Sequence, residues 1–252
     1  MIFEFGYLDF VGIWCLEFGV ITVDLSKTLV MIMAGGKGER LGSLTAERAK
    51  PAVPFGGTYR IIDFTLSNCL NSHLRRLLVL IQHKSMSLNK HIREGWQMYF
   101  VPAFGEYVET LPAQHRSGDH LYLGTADAIY QNLFVVERDT PEHVLILAGD
   151  HVYKMDYRHM LRYHMETGAD VTVGAVEVSH EDAHLYGILN VDADGRIMAF
   201  HEKPKNHALL PPNPAPCMAS MGIYGFSTKA MAKVLKEDAG RESSSHDFGK
   251  DI

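Results

Sequence analysis

Three glycines, an arginine and a lysine are the first residues in this chain that could do chemistry. In MAGGKGERLGSLTAERAKP, residues 33–51, Gly35, Gly36 and Gly38 crowd together ahead of Arg40 and Lys50. Glycines in a tight turn let backbone N–H groups approach phosphate oxygens, and nearby cations neutralise the charge of a polyphosphate. Arg40 can grip a phosphate as a fork, while Lys50 acts as a point charge. Two familiar phosphate loops do not fit. No GxxxxGK[ST] string exists, and Gly36-Lys37-Gly38-Glu39-Arg40-Leu41 lacks the last glycine of GxGxxG. Further on, Asp150 in LAGDHVY directly follows an apolar run. A carboxylate there can hold a hard divalent ion such as Mg²⁺, or it can simply cap a turn.

These residues need elements to position them. TLVMIMA (28–34), RRLLVLIQ (75–82), HVLILAGD (143–150) and DVTVGAVEV (170–178) are short apolar runs of the kind that form buried strands. MGIYGF (221–226) reads as another strand, and ILNVDADGRIMAF (188–200) as a hairpin around Asp194-Gly195. Helical spacing appears from Ile62 to Leu70, over SLNKHIREGW (87–96), through GTADAIYQNLFVVERD (124–139), and over DYRHMLRYHMETG (156–168). Thr125 reads as the N-cap of the third. A long loop runs from the end of the 28–34 strand to about residue 59, and residues 100–123 read as loop-rich. Alternation of strand and helix predicts an α/β fold, a mostly parallel sheet flanked by helices. Ligands of such sheets bind at the carboxyl ends of strands, where the glycine turn and Asp150 both fall.

Composition narrows the function classes. The 252 residues are 46% hydrophobic and 21% charged, with a net charge of −6 and no basic stripe, so nucleic acid is not an expected partner. The three cysteines show no CxxC spacing, as expected of reduced thiols in a cytoplasmic protein. The 14 histidines are scattered, and a histidine-bound zinc is not expected. Residues 1–27 are apolar and aromatic, without a basic start. Their longest charge-free run, Phe10–Leu16, is far below the ~20 residues of a membrane helix. They read as an extension of unknown role, and residues 28–252 as one catalytic domain.

Eight segments then appear in a fixed order: AGGKGERLGSLTAERAKPAVPFGG, YRIIDFTLSNCLNS, LPAQ, GTADA, LAGDHVYKMDY, EKP, ASMGIY and SSHDFGKD. Together they resemble bacterial ADP-glucose pyrophosphorylase (glucose-1-phosphate adenylyltransferase) from about residue 28 to 252. The resemblance implies a dinucleotide-binding-like nucleotidyltransferase domain. It implies the reaction ATP + glucose 1-phosphate ⇌ ADP-glucose + pyrophosphate, with Mg²⁺, in glycogen synthesis. By that resemblance Asp150 is the catalytic metal ligand, with Arg40 and Lys50 on the phosphates of ATP. Gly35, Gly36, Gly38, Gln114, Gly124, Thr125, Ala126 and Asp127 are on the nucleotide side. Tyr122, Gly187, Glu202, Lys203, Ser220 and Asp247 are on the glucose 1-phosphate side, with Lys203 on the sugar phosphate. Arg48, Arg60 and Arg138 match positions of effector sites.

Two departures qualify this. Glu47 stands where the family often has a basic residue, and Pro54 replaces a more polar one. A carboxylate repels a phosphorylated activator, so regulation unlike that of enzymes activated by fructose 1,6-bisphosphate is expected. The family also continues beyond SSHDFGKDI, with a second metal-binding aspartate and a left-handed β-helix. The chain therefore reads as truncated, and the family's homotetramer is not expected of it. Two alternatives stay open: a relative using UTP or dTTP, and a non-catalytic regulatory or binding subunit or inactive fragment.

Overall fold

The computed structural model describes residues 23–36, 38–114, 121–211 and 215–252, without the side chains of Glu39, Arg40 and His207. The extension read over residues 1–27 lies outside the described residues as far as residue 22. Two compact units divide the described chain: residues 173–224, and the residues on either side of them.

The larger unit is built on four parallel strands. In chain order it runs β1 (Thr28–Met33), a minimal hairpin of β2 (Pro54–Phe55) and β3 (Tyr59–Arg60), α1 (Ile62–Asn71), β4 (Arg76–Ile81) and α2 (Met86–Gly95). It continues with β5 (Tyr107–Pro112), α3 (Thr125–Tyr130), α4 (Leu133–Asp139), β6 (His143–Ala148) and α5 (Tyr157–Thr167). After the smaller unit come α6 (Thr228–Ala239) and α7 (Phe248–Asp251). The strand order is β5-β4-β1-β6, and every neighbouring pair is parallel, with Val30 opposite Leu77, Met31 opposite Ile146 and Leu78 opposite Glu109. Strands covered on both faces must be apolar along their whole length, and Leu29–Ile32, Leu77–Ile81 and Val144–Leu147 are all buried. From β1 the chain steps outward through β4 and β5, then returns to place β6 on the other side of β1. The direction of winding therefore reverses between β1 and β6, the point at which open α/β sheets bind ligands.

The smaller unit is antiparallel where β8 (Gly187–Val191) joins β9 (Ile197–Glu202) and β10 (Cys217–Ser227), and β7 (Val171–Val178) pairs with β10. The hairpin expected around Asp194-Gly195 is present. Asp192 Oδ1 accepts from the amides of Asp194 and Arg196, and Gly195 takes a left-handed φ of 77°. Ala183, Ile188, Cys217 and Ala219 are fully buried at its core.

Four local expectations need correction. The loop-rich stretch 100–123 also holds a strand not expected there: β5 forms on the outside of β4, with Glu109 exposed and Pro112 ending the strand. An edge strand needs less apolar surface and tolerates proline, so its pattern is weak. The stretch before residue 59 contains two 3₁₀ turns, Glu39–Thr45 and Lys50–Ala52, and the β2–β3 hairpin. The helix expected over 124–139 is two helices. Asn132 Nδ2 donates to the Ala128 carbonyl at 2.8 Å, taking the acceptor that its own amide would use, and the backbone switches to the Ile129 carbonyl. Thr125 is not an N-cap: Gly124 holds that position, and the Thr125 hydroxyl bonds elsewhere. No helix among the described residues is long and apolar enough to cross a membrane.

Candidate active site

The glycine turn leaves β1 at its carboxyl end. Gly38 sits at φ 67°, and a Cβ there would come within 2.9 Å of Lys50 Cβ and 3.0 Å of Thr45 Cγ2. Glycine is thus required twice over, by backbone conformation and by close approach. Thr45 Oγ1 lies 2.9 Å from the Gly38 carbonyl, and Lys84 Nζ donates to the Thr45 carbonyl at 2.8 Å. These bonds hold the turn from behind. A cleft of about 420 Å³ opens here, lined by Gly36, Gly42, Thr45, Ala46, Ala49, His83 and Lys84. Arg40 lies in the 39–45 turn, and its side chain is outside the described residues.

Asp150 follows β6 across the switch point, and Lys50 Nζ donates to its Oδ2 at 2.7 Å. Each side chain is about one-third exposed. The pair is solvent-accessible, which weakens it and leaves both charges available to a ligand. Beside it, burial pushes the His151 imidazole below its ordinary value, with Asp150 opposing and Lys50 assisting. Among the described residues no three His, Cys, Asp or Glu side chains converge on one point. Asp150 alone still fits Mg²⁺, which commonly takes one or two carboxylates and completes its shell with water and substrate phosphates. Only Oδ2 of Asp150 is engaged by a described residue.

Further along the same unit, Gln114 is exposed just past β5. Gly124, Thr125, Ala126 and Asp127 open α3, where Asp127 accepts from the Leu123 amide and from Gln131 Nε2, both at 2.8 Å. Tyr122 OH accepts from Asn132 Nδ2 at 2.9 Å, and burial pushes its phenol up. Asp247 caps α7 through Oδ1 and accepts from the Thr125 hydroxyl through Oδ2 at 3.0 Å.

In the smaller unit, Gly187 pairs with Glu202 at the start of the β8–β9 ladder, and Ser220 follows the Ala219–Ile188 pair. A Cβ on Gly187 would lie 2.3 Å from Phe200 Cζ. Lys203 adopts a left-handed φ of 44°, anchored by its amide on the Tyr186 carbonyl, and its Nζ donates to Glu202 Oε1 at 2.6 Å. Gly187, Glu202, Lys203 and Ser220 therefore gather at one end of this unit.

The expected effector arginines are less uniform. Arg60 donates to the Ala52 carbonyl, Arg138 is paired with Asp139, and Arg48 is half-buried. Thr45, Gln82, His83 and Lys84 were missed in sequence. Their signal was position: Gln82 follows β4 at its carboxyl end, its Cβ lies 3.1 Å from where a Gly35 Cβ would stand, and its amide donates to the Tyr122 carbonyl. The string His180-Glu181-Asp182-Ala183-His184 also carries the HExxH zinc spacing, which the reading of scattered histidines overlooked. That motif requires a regular helix, whereas this string ends in a 3₁₀ turn, with His180 on the Ala215 carbonyl and His184 on the Glu181 carbonyl.

A parallel sheet whose switch point carries a glycine turn after one strand and an aspartate after its neighbour has the layout of the open α/β folds, which bind ligands at the carboxyl ends of their strands. The profile of the nucleotidyl transferase family matches residues 29–252, and the chain belongs to that family. Its relatives include a glucose-1-phosphate adenylyltransferase of Rhodopirellula baltica, 53% identical over 90% of this chain and 51% of the relative. The protein of the same name from Thiobacillus denitrificans is 54% identical over 92% of this chain and 53% of its own length. Glucose-1-phosphate adenylyltransferase 2 of Alkalilimnicola ehrlichii is 56% identical over 90% and 53%. The chain spans about half the length of the curated relatives it matches.

Proposed function

We propose that this chain carries the adenylyl-transfer site for ATP + glucose 1-phosphate ⇌ ADP-glucose + pyrophosphate, a cytoplasmic step that supplies a glucosyl donor for glycogen. The observation that supports it most is the Lys50–Asp150 pair beside the Gly38 turn, at the β1/β6 switch. The nucleophile is a phosphate oxygen of glucose 1-phosphate, already ionised at neutral pH, so no general base is needed. It bonds to the α-phosphorus of ATP as the bond from that phosphorus to the β-bridging oxygen breaks, and pyrophosphate leaves with the electron pair. Catalysis is then positioning and charge neutralisation.

Each residue has a matching task. Backbone N–H groups of the Gly35–Gly38 turn, with Arg40 and Lys50, receive the triphosphate. Lys50 exchanges Asp150 for a phosphate oxygen when ATP binds. Asp150 would hold Mg²⁺, which when bound supplies positive charge to the phosphates. Gln114 and the Gly124–Asp127 segment contact the nucleoside. Glu202 binds sugar hydroxyls and Lys203 the sugar phosphate, with Gly187, Ser220, Tyr122 and Asp247 as further sugar-side residues.

The test is pyrophosphate release by the purified chain with Mg²⁺, glucose 1-phosphate and each of ATP, UTP and dTTP. Release with ATP alone supports the reading. Release with UTP or dTTP moves the chain to another nucleotide class. Binding of ATP without turnover makes it a binding subunit.

A further inference from the structure

Two motifs about 120 positions apart in sequence are joined by a single strained residue. His246 occupies the left-handed region at φ 54°. A non-glycine residue there is strained and persists only where its surroundings over-determine it. Here they do. Its amide donates to Ser244 Oγ at 2.9 Å, and its Nδ1 lies 2.7 Å from Oδ2 of the buried Asp238. A carboxylate only accepts, so the proton is on Nδ1. Ser244 Oγ donates in turn to Asp238 Oδ1 at 2.6 Å. The kink aims the His246 carbonyl at the first turn of α3, where it accepts from the amides of Ala126 at 2.8 Å and Asp127 at 3.4 Å. These are donors that a helix leaves orphaned and that α3 caps with no side chain of its own.

The approach is so close that a Cβ on Gly124 would lie 2.2 Å from the His246 carbonyl oxygen. The next residue is Asp247. Its Oδ2 accepts the Thr125 hydroxyl at 3.0 Å, and the Phe248 amide returns a bond to the same oxygen of Thr125. The strained conformation of His246 thus fixes where the Asp247 carboxylate stands relative to α3.

We infer that His246 is a positioning residue: tethered by Asp238, it clasps the SSHDFGKD segment onto α3 and sets Asp247 for a sugar phosphate. The substrate half of this inference rests on the function proposed above. The clasp itself does not.

The experiment compares wild type with His246→Ala and His246→Asn. Alanine removes the Asp238 tether. Asparagine tolerates the left-handed region and carries an amide N–H that can reach Asp238. Two readouts are taken. Amide hydrogen exchange at Ala126 and Asp127 reports the clasp, and it is expected to accelerate in His246→Ala and to return toward wild type in His246→Asn. Unchanged protection in His246→Ala overturns the clasp. Steady-state kinetics report positioning. The KM for glucose 1-phosphate is expected to rise about tenfold in His246→Ala, with a smaller rise of about threefold for ATP because the clasped turn of α3 also faces the nucleoside, and asparagine recovering most of both losses. A fall in Tm with both KM values unchanged, or an equal rise in both, overturns the positioning role. A wild-type chain that binds no glucose 1-phosphate by titration in the presence of ATP overturns the proposed function and the substrate half together. The exchange measurement then still decides the clasp.

Discussion

His164 gives a pH dependence of stability that can be worked through from its surroundings. It lies on α5, is 1% exposed, and its Nδ1 pairs with Thr172 Oγ1 at 2.9 Å. The His143 ring meets it edge-on with centroids 5.1 Å apart, and neither His164 Nε2 nor His143 Nδ1 has a partner among the described residues. Burial, then repulsion from His143, pushes the His164 imidazole from 6.5 to about 4, with Asp170 opposing. The sign follows directly. Above pH 6.5 the ring is neutral folded or unfolded, and stability is at its full value. As the pH falls through 6.5 the unfolded chain takes a proton that the folded chain refuses until about pH 4, so stability is lost across that window. Between pH 7.5 and 5.0 the share of the loss due to His164 comes to about 2 kcal/mol, and His143 and His151, whose imidazoles burial also lowers, add to it in the same direction. Asp63, Asp139 and Asp156 are all held below 3.8 by their partners, so their contributions are lost below the window rather than within it. Urea denaturation at the two pH values should show the loss in wild type. His164→Asn keeps an amide near Thr172 and removes the titration, so its stability should change by about 2 kcal/mol less between the two pH values. An identical pH dependence in both proteins would refute the assignment.

Three further outcomes test the site. Asp150→Asn should lower pyrophosphate release by about 10²-fold or more with the circular dichroism spectrum unchanged; near-normal turnover removes Asp150 from the chemistry. Lys203→Ala should raise the KM for glucose 1-phosphate by at least about tenfold and leave that for ATP nearly unchanged, since its ammonium is paired with the neighbouring Glu202 and more than half exposed; equal effects place it elsewhere. Gly124→Ala drives a methyl into the His246 carbonyl at 2.2 Å. Overpacking and the loss of the Ala126 bond should cost about 2–4 kcal/mol in denaturant unfolding; a change under about 0.5 kcal/mol would mean that the segment moves aside freely.

The central strands were readable because their constraint is local. A parallel strand covered on both faces must be apolar throughout, and β1, β4 and β6 stand out as unbroken runs. β5 was not readable because an edge strand is covered less completely, and YVETLP has neither an unbroken apolar run nor strict alternation. α6 went unread for a different reason. Its first turn, TKAM, carries no acidic residue, and its cap comes from Ser227, the last residue of β10, so the sequence shows no break between strand and helix.

The site divides along the same line. Gly38 and Asp150 could be picked out one at a time because each lies just beyond the carboxyl end of an apolar strand, and Lys50 because it is a cation in the loop that the glycines open. That Lys50 and Asp150 would touch could not be read from spacing, because 100 residues separate them. It follows only once β6 is known to return to the far side of β1. Thr125 shows the converse failure. Threonine ahead of an apolar helical run is a sound N-cap by every local rule, and the structure still gives the cap to a backbone carbonyl. A side-chain cap competes with any acceptor the fold can deliver. Glycine at position 124 lets one approach to 2.2 Å of where a Cβ would be, which no other residue allows. The informative residue was therefore the glycine before the threonine. What it makes room for is supplied by a histidine 122 positions later, in a backbone conformation that no local pattern announces.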